Sequence, residues 1–166
     1  VVIENTAELA KTFFAGRCDV LTSDASQLAG TRAVAPNPAD YMILPDIISK
    51  EPLAPAVRHG DNKWKDIVNY SVLATINAAE LGITSKNVDA MLKSNDPKIK
   101  RFLGVTAGNG KALGLDENFV YNIIKMVGNY GEIFERNVGV NTQLGIERGL
   151  NALWTDGGLM YSPPFK

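Results

Sequence analysis

Between residues 1 and 44, short apolar runs alternate with longer segments of helical periodicity, and that alternation points the first part of the chain toward parallel βα units. Val1–Glu4 predicts a strand, and Thr6–Ala15 predicts a helix that Asn5 or Thr6 can cap and Gly16 can end. Cys18–Thr22 is apolar enough for a strand buried in the middle of a sheet. Asp24–Ala33 predicts the next helix, opened by Ser23 or Asp24 and stopped by Pro36 and Pro38, and Tyr41–Leu44 predicts a further strand. The opening residues carry no initiator Met, basic segment or long apolar stretch, so they do not read as a secretion signal. A strand that starts at residue one fits a truncated or cleaved chain as well as a processed one.

Beyond Pro45 the texture changes. Lys50–Arg58 holds two prolines yet still reads as extended, which suits an edge strand or a crossover between lobes. Asp61 then opens a long amphipathic helix through Trp64, Ile67, Val68, Ser71, Val72, Thr75, Ile76 and Ala79, and Gly82 closes it. Thr84 or Ser85 predicts the start of a helix through Val88, Met91 and Leu92. Pro97 opens a short one at the favoured first helical position. Asp116–Asn137 predicts a helix interrupted by Gly128 and Gly131, with Phe119, Ile123, Met126, Tyr130 and Phe134 as its apolar stripe. The tail, Leu150–Tyr161, reads as a short helix and a glycine turn whose aromatics suit docking onto a core.

Several function classes fall away on composition. With 166 residues, 45% of them hydrophobic and 21% charged, the chain can bury about 70% of its unfolded surface and does not read as disordered. A formal net charge of -1 gives no electrostatic footprint for nucleic acid, and Lys98, Lys100 and Arg101 read as a solvated helix face. No apolar stretch approaches the ~20 residues a membrane-crossing helix requires. Val105–Gly110 is glycine-rich but lacks the Gly-Lys-Ser or Gly-Lys-Thr ending and the preceding apolar strand of a phosphate loop. No His or second Cys stands at ligand spacing from Cys18, so no metal and no cofactor is expected. The lone histidine, His59, lies in a polar turn and reads as solvated rather than as a general base, and no catalytic constellation emerges.

Asp24 stands out among the polar residues. It sits where a buried strand passes into a helix, at the carboxyl end of the strand, where ligands collect in open parallel sheets. Two readings stand for it: a helix N-cap, or a carboxylate facing a cleft and able to pair with an ammonium group.

The segment Ala15-Gly-Arg-Cys-Asp-Val-Leu-Thr-Ser-Asp-Ala-Ser-Gln-Leu-Ala-Gly30 resembles the second-lobe signature of periplasmic solute-binding proteins for polar amino acids, particularly those of general L-amino-acid ABC importers. Further matches follow in order at Tyr41–Leu53, Val57–Asp61, Val127–Asn137 and Gly149–Trp154. The resemblance covers nearly the whole chain and implies an α/β fold, part of a two-lobed periplasmic-binding-protein (type II) fold with a helical C-terminal portion. It implies residues 1–46 as the later part of lobe two, 47–58 as the return hinge crossing, and 59–166 as the completion of lobe one with a helical extension. In that family two lobes close on an amino acid and dock on a membrane permease. Asp24 falls on the acidic residue that binds the ligand α-ammonium, and Thr6 falls in a cleft-edge loop that contributes to side-chain recognition.

Nothing in the sequence matches the family's N-terminal half, where the arginine for the ligand carboxylate resides. The chain therefore reads as the C-terminal half, with a complementary N-terminal fragment as a possible partner and the usual disulfide partner of Cys18 in that half. The expected function is a periplasmic amino-acid-binding receptor subunit with no enzymatic activity. The alternatives are a half-protein acting as a non-binding interaction module and a dehydratase-like enzyme on the same fold.

Overall fold

Helices carry the fold wherever the computed structural model describes it, over residues 3–49 and 52–165. The chain divides into two compact units, Val1–Leu53 with Val138–Glu147, and Ala54–Asn137 with Arg148–Lys166.

The first unit is built on α1 (Thr6–Phe14) and α2 (Ala25–Ala33). Asn5 caps α1 as its sequence position predicts, its side-chain oxygen accepting the N–H groups of Ala7 at 3.0 Å and Glu8 at 3.1 Å. A 3-10 turn at Pro38–Asp40, begun by the second of the prolines that follow α2, delivers Tyr41 against α1, its ring 5.5 Å from Phe13 and 5.2 Å from Phe14. That aromatic cluster holds α1 to the segment after α2. Buried apolar side chains are few here: among the described residues they are Ala29 and Ala35.

The strands expected at Cys18–Thr22 and Tyr41–Leu44 are not laddered. Both segments lie outside helix and strand, and no β-ladder occurs among the described residues of this unit. Of the strand expected at Val1–Glu4, Val1 and Val2 lie outside the described residues, while Ile3 and Glu4 are in no strand. The physical reason is that apolar character can be read from one segment, whereas a strand exists only when a neighbour takes its backbone hydrogen bonds.

The second unit has a core of its own. α3 (Asn62–Glu80) opens at Asp61, whose carboxylate accepts the Trp64 N–H at 3.0 Å, and ends in a turn where the Ile83 N–H donates to the Ala78 carbonyl at 2.8 Å and Gly82 takes φ 65°. α4 spans only Val88–Met91, because Thr84 and Asn87 close a turn on each other. The Thr84 N–H donates to Asn87 Oδ1 at 2.7 Å, and the Asn87 N–H donates to Thr84 Oγ1 at 3.3 Å. α5 (Pro97–Phe102) starts on its proline with Asp96 as the cap, and α6 (Asn109–Leu113) lies at the end of the glycine-rich loop.

α7 (Phe119–Val127) and α8 (Tyr130–Asn137) replace the single interrupted helix expected there. The break falls at Gly128, with φ 83°, while Gly131 lies inside α8. The break also cuts the apolar stripe. Phe119, Val120 and Ile124 are the buried face of α7, and Met126, in the last turn of the same helix, is exposed.

Around α3 the buried residues Ala74, Ala78, Ile83, Val88, Phe102, Leu103, Phe119, Val120 and Ile124 form one cluster. Phe165 from the tail closes it, edge-on to Phe102 at 5.2 Å and to Tyr70 at 5.6 Å. α3 is buried on five successive residues, Ala74–Ala78, so its C-terminal half runs through the middle of the unit while Trp64 at its start is exposed. The tail adds 3-10 turns at Gly149–Asn151 and Trp154–Asp156, and the Arg148 guanidinium lies 5.2 Å from the centre of the Tyr130 ring and 5.1 Å from that of Phe134. No helix among the described residues is long and apolar enough to cross a membrane.

One carboxylate ties three pieces of this unit together. Asn129 and Glu132 form a reciprocal cap at the start of α8: Asn129 Oδ1 accepts the Glu132 N–H at 3.0 Å, and Glu132 Oε2 accepts the Asn129 N–H at 2.8 Å. The same carboxylate accepts the Ser85 hydroxyl at 2.6 Å and the Ser85 N–H at 3.0 Å, while the buried Asn129 side chain donates to the Ile83 carbonyl at 2.8 Å. A Cβ at Gly128 would stand 2.7 Å from Glu132 Oε2, so the carboxylate fills the space a side chain there would need. Burial pushes the Glu132 carboxyl up, but the hydrogen bonds from Ser85 and Asn129, with the nearby Lys86 charge, hold it below its ordinary value of 4.5.

A depressed folded value means that the unfolded chain takes up the proton first as pH falls. The Glu132 contribution is therefore fully present above about pH 4.5 and is lost as pH drops through the folded value. Glu132→Gln should cost about 2 kcal/mol near neutrality, the worth of hydrogen bonds to a charged group. In urea denaturation followed from neutrality to about pH 3, the gap between parent and variant should close on the acid side; a gap independent of pH would remove the charge from this account.

Candidate functional site

The two residues singled out for ligand contact both belong to the first unit and both stand at helix starts. Thr6 is the first residue of α1, and Asp24 immediately precedes the first residue of α2. Each is exposed, and their side chains share no hydrogen bond. In each case an apolar segment passes into a helix, so the residue lies where the open N–H groups and the positive end of the helix dipole converge.

Asp24 occupies the cap position without capping. Its backbone carbonyl accepts the Leu28 N–H at 2.9 Å, as a cap residue's does, and its dihedrals, φ -56° and ψ 142°, suit the role. Yet its side chain makes no capping hydrogen bond, in contrast to Asn5, Asp61 and Asp96. The neighbouring Ser23 hydroxyl turns away to donate to Gln27 Oε1 at 2.7 Å. An exposed carboxylate left in this state can accept from a cationic donor outside the chain. Cys18, six residues earlier, is a half-buried free thiol, and His59 is exposed in the turn before α3.

The glycine-rich loop is spent internally. The Glu117 carboxylate accepts the N–H groups of Gly108 at 2.9 Å, Lys111 at 3.1 Å and Gly110 at 3.2 Å. Those hydrogen bonds, from Gly108 first, hold its carboxyl below the ordinary range. The donors that a phosphate would seek are therefore already matched by an acid of the chain itself. An acidic residue shortly after such a loop was the available sequence signal.

The second unit also carries an open groove of about 760 Å³ beside the tail, lined by Asn77, Glu80, Phe102, Trp154 and Phe165 among others. Glu80 Oε1 organises it, accepting the Trp154 indole N–H at 3.0 Å and the Ser162 N–H at 3.3 Å. The Trp154 ring stays 62% exposed, so the aromatic expected to dock is held by its nitrogen instead. Asn77, on the buried part of α3, is the polar residue here that the helical stripe gave no reason to single out. Among the described residues no cluster of His, Cys, Asp and Glu could hold a metal ion.

No protein-family model matches the sequence. Individual proteins do, over the whole of it. The glutamate/glutamine/aspartate/asparagine-binding protein BztA of Rhodobacter capsulatus is 53% identical over 167 residues, 100% of this chain and 49% of that protein. The general L-amino acid-binding periplasmic protein AapJ of Rhizobium johnstonii is 54% identical over 168 residues, with the same shares. Its homologues are amino-acid-binding periplasmic proteins. An ABC transporter/periplasmic binding protein from Brucella ovis, solved with glutathione bound, superposes on 100% of the chain with a TM-score of 0.93 at 51% identity, and the match takes in 52% of that structure. The chain thus has the fold of part of a two-lobed periplasmic binding protein, and it spans about half the length of the curated relatives it matches. Those relatives are binding proteins, not enzymes.

The contrast between the two helix starts is measurable. Asn5→Ala removes both hydrogen bonds at the start of α1 and should cost about 1 kcal/mol, whereas Asp24→Ala removes none at α2 and should change stability by no more than about 0.5 kcal/mol. Thermal unfolding of the two variants followed by circular dichroism checks this, and an equal loss in both would return Asp24 to a capping role.

Proposed function

We propose that the chain supplies the C-terminal portion of a periplasmic receptor for L-amino acids, which closes two lobes on its ligand and delivers it to the membrane permease of an ABC importer. Residues 1–46 belong to lobe two in this reading, 47–58 to the return crossing, and 59–166 to the completion of lobe one with its extension. The first compact unit ends at Leu53, inside that crossing, and also takes back Val138–Glu147. Support comes from relatives named for amino acids at 53% and 54% identity along the whole chain.

The observation that carries the reading is the uncommitted carboxylate of Asp24 at the start of α2. In the receptor it pairs with the α-ammonium of the ligand, while the Thr6 hydroxyl, at the start of α1, contributes to side-chain recognition. The first contact is a charge-assisted hydrogen bond, the second a neutral one, so Asp24 carries more of the affinity.

The test joins this chain to the portion of the Rhizobium johnstonii relative that lies outside the matched region, and measures binding of the common L-amino acids by calorimetry. Asp24→Ala should weaken binding by about 10- to 100-fold, the equivalent of a charged hydrogen bond of 1.5 to 3 kcal/mol, and Thr6→Ala by less. Unchanged affinity in the Asp24 variant would leave that residue as a plain surface acid.

A further inference from the structure

The groove beside the tail has three features that its own packing leaves unused. Its lining is largely aromatic: Phe102 and Phe165 meet edge-on at 5.2 Å, and Trp154 and Tyr161 stay 62% and 65% exposed. Asn77 is only 9% exposed, yet its one side-chain hydrogen bond among the described residues runs from Nδ2 to Ser162 Oγ at 3.5 Å, beyond the usual span of about 2.7–3.2 Å. A buried amide so weakly held keeps both donor and acceptor capacity to spare. Charge is the third feature. A smaller hollow of about 400 Å³ adjoins the groove through Lys98 and Phe165, which line both, and brings in Arg101. Lys98 and Arg101 stand three residues apart on α5 and so share a face, and neither is in an ion pair among the described residues. Glu80, the acid of the groove, already accepts two N–H groups, from Trp154 and Ser162.

We infer that this groove is a binding site for a phenolic carboxylate, a flat ring with a hydroxyl at one end and a carboxylate at the other. The ring lies against Phe102, Phe165 and Trp154, the hydroxyl exchanges hydrogen bonds with the Asn77 amide, and the carboxylate meets the exposed Lys98 and Arg101. Charge complementarity decides the sign of the ligand. An anion finds two unpaired cations and an acid already answered by two donors, whereas a cation would face Lys98 and Arg101. The groove's volume of about 760 Å³ falls among those of small-molecule sites, about 300–1,000 Å³. Every residue invoked belongs to the second unit, which has its own core. The inference therefore stands apart from the receptor reading and from Asp24, which belongs to the first unit.

The experiment titrates the chain with para-hydroxyphenylpropionate and follows its two tryptophan indole N–H signals by NMR. Trp154 reports on the groove, and Trp64, in the first turn of α3, is the internal control. The Trp154 signal should shift saturably while that of Trp64 stays in place. The methyl ester, which lacks the charge, should bind about 10-fold more weakly, and phenylpropionate, which lacks the hydroxyl, about 3- to 10-fold more weakly. Lys98→Gln, at an exposed position, should reproduce the loss seen with the ester. Four results would overturn the inference: no saturable shift at Trp154, equal shifts at both tryptophans, an ester that binds as tightly as the acid, or an affinity that neither Lys98→Gln nor Arg101→Gln changes. So would loss of the Trp154 shift when the chain is joined to the portion of the Rhizobium johnstonii relative outside the matched region, since the groove would then be a surface that the added portion covers.

Discussion

Every buried N–H and C=O must find a partner, and the two units meet that requirement differently. In the second unit the helices close their own ladders, and side chains of the same unit take the donors left over at helix starts: Asp61 for α3, Asp96 for α5, and the Asn129–Glu132 pair for α8. Glu117 does the same for the glycine-rich loop. Once these are matched, Ala74, Ala78, Phe102 and Ile124 can be buried without stranding polar groups among them. In the first unit Asn5 caps α1 in the same way, α2 starts without a side-chain cap, and the segments beside them have no ladder, since a strand's hydrogen bonds point sideways to a neighbour. The small buried set there, Ala29 and Ala35, follows from that geometry as much as from composition.

This difference also explains what the sequence made legible. Features decided within about five residues came through: Asp61 as the cap of α3, Asn5 as one of the two caps offered for α1, Pro97 at the start of α5, and Gly82 after α3. Features decided by distant partners did not. The stripe from Phe119 to Phe134 fits a single helix by spacing, but the Glu132 carboxylate folded over Gly128 and bound to Ser85, 47 residues away, makes it two. Trp154 reads as a core aromatic by type, yet its position is set by Glu80, 74 residues away, and the ring stays largely outside. Strand character at Cys18–Thr22 and Tyr41–Leu44 was legible as apolarity, whereas the ladder depends on a partner no local pattern can supply.

The candidate site shows the same division. That Asp24 lies at the junction of an apolar segment and a helix follows from local pattern alone, and α2 begins at the very next residue, Ala25. Whether its carboxylate caps that helix was not legible, because Asp is equally at home in both roles and the choice turns on a rotamer. The resemblance to a family implies the role that physics left open.

A comparison of acids within the chain sharpens the point. Asp61, Asp96, Glu117 and Glu132 each accept at least one backbone N–H, and each thereby fixes a turn or a helix start. Asp24 has the backbone conformation and the position to do likewise, and its side chain does not. A cap bond is worth about 1 kcal/mol, and α7, with Asn118 at its cap position, also starts without one. An ammonium group brought to the start of α2 would meet a carboxylate that needs no bond broken before it can accept one. The uncapped start of α2 leaves that carboxylate available, and among the described residues this separates Asp24 from Asp61 and Asp96.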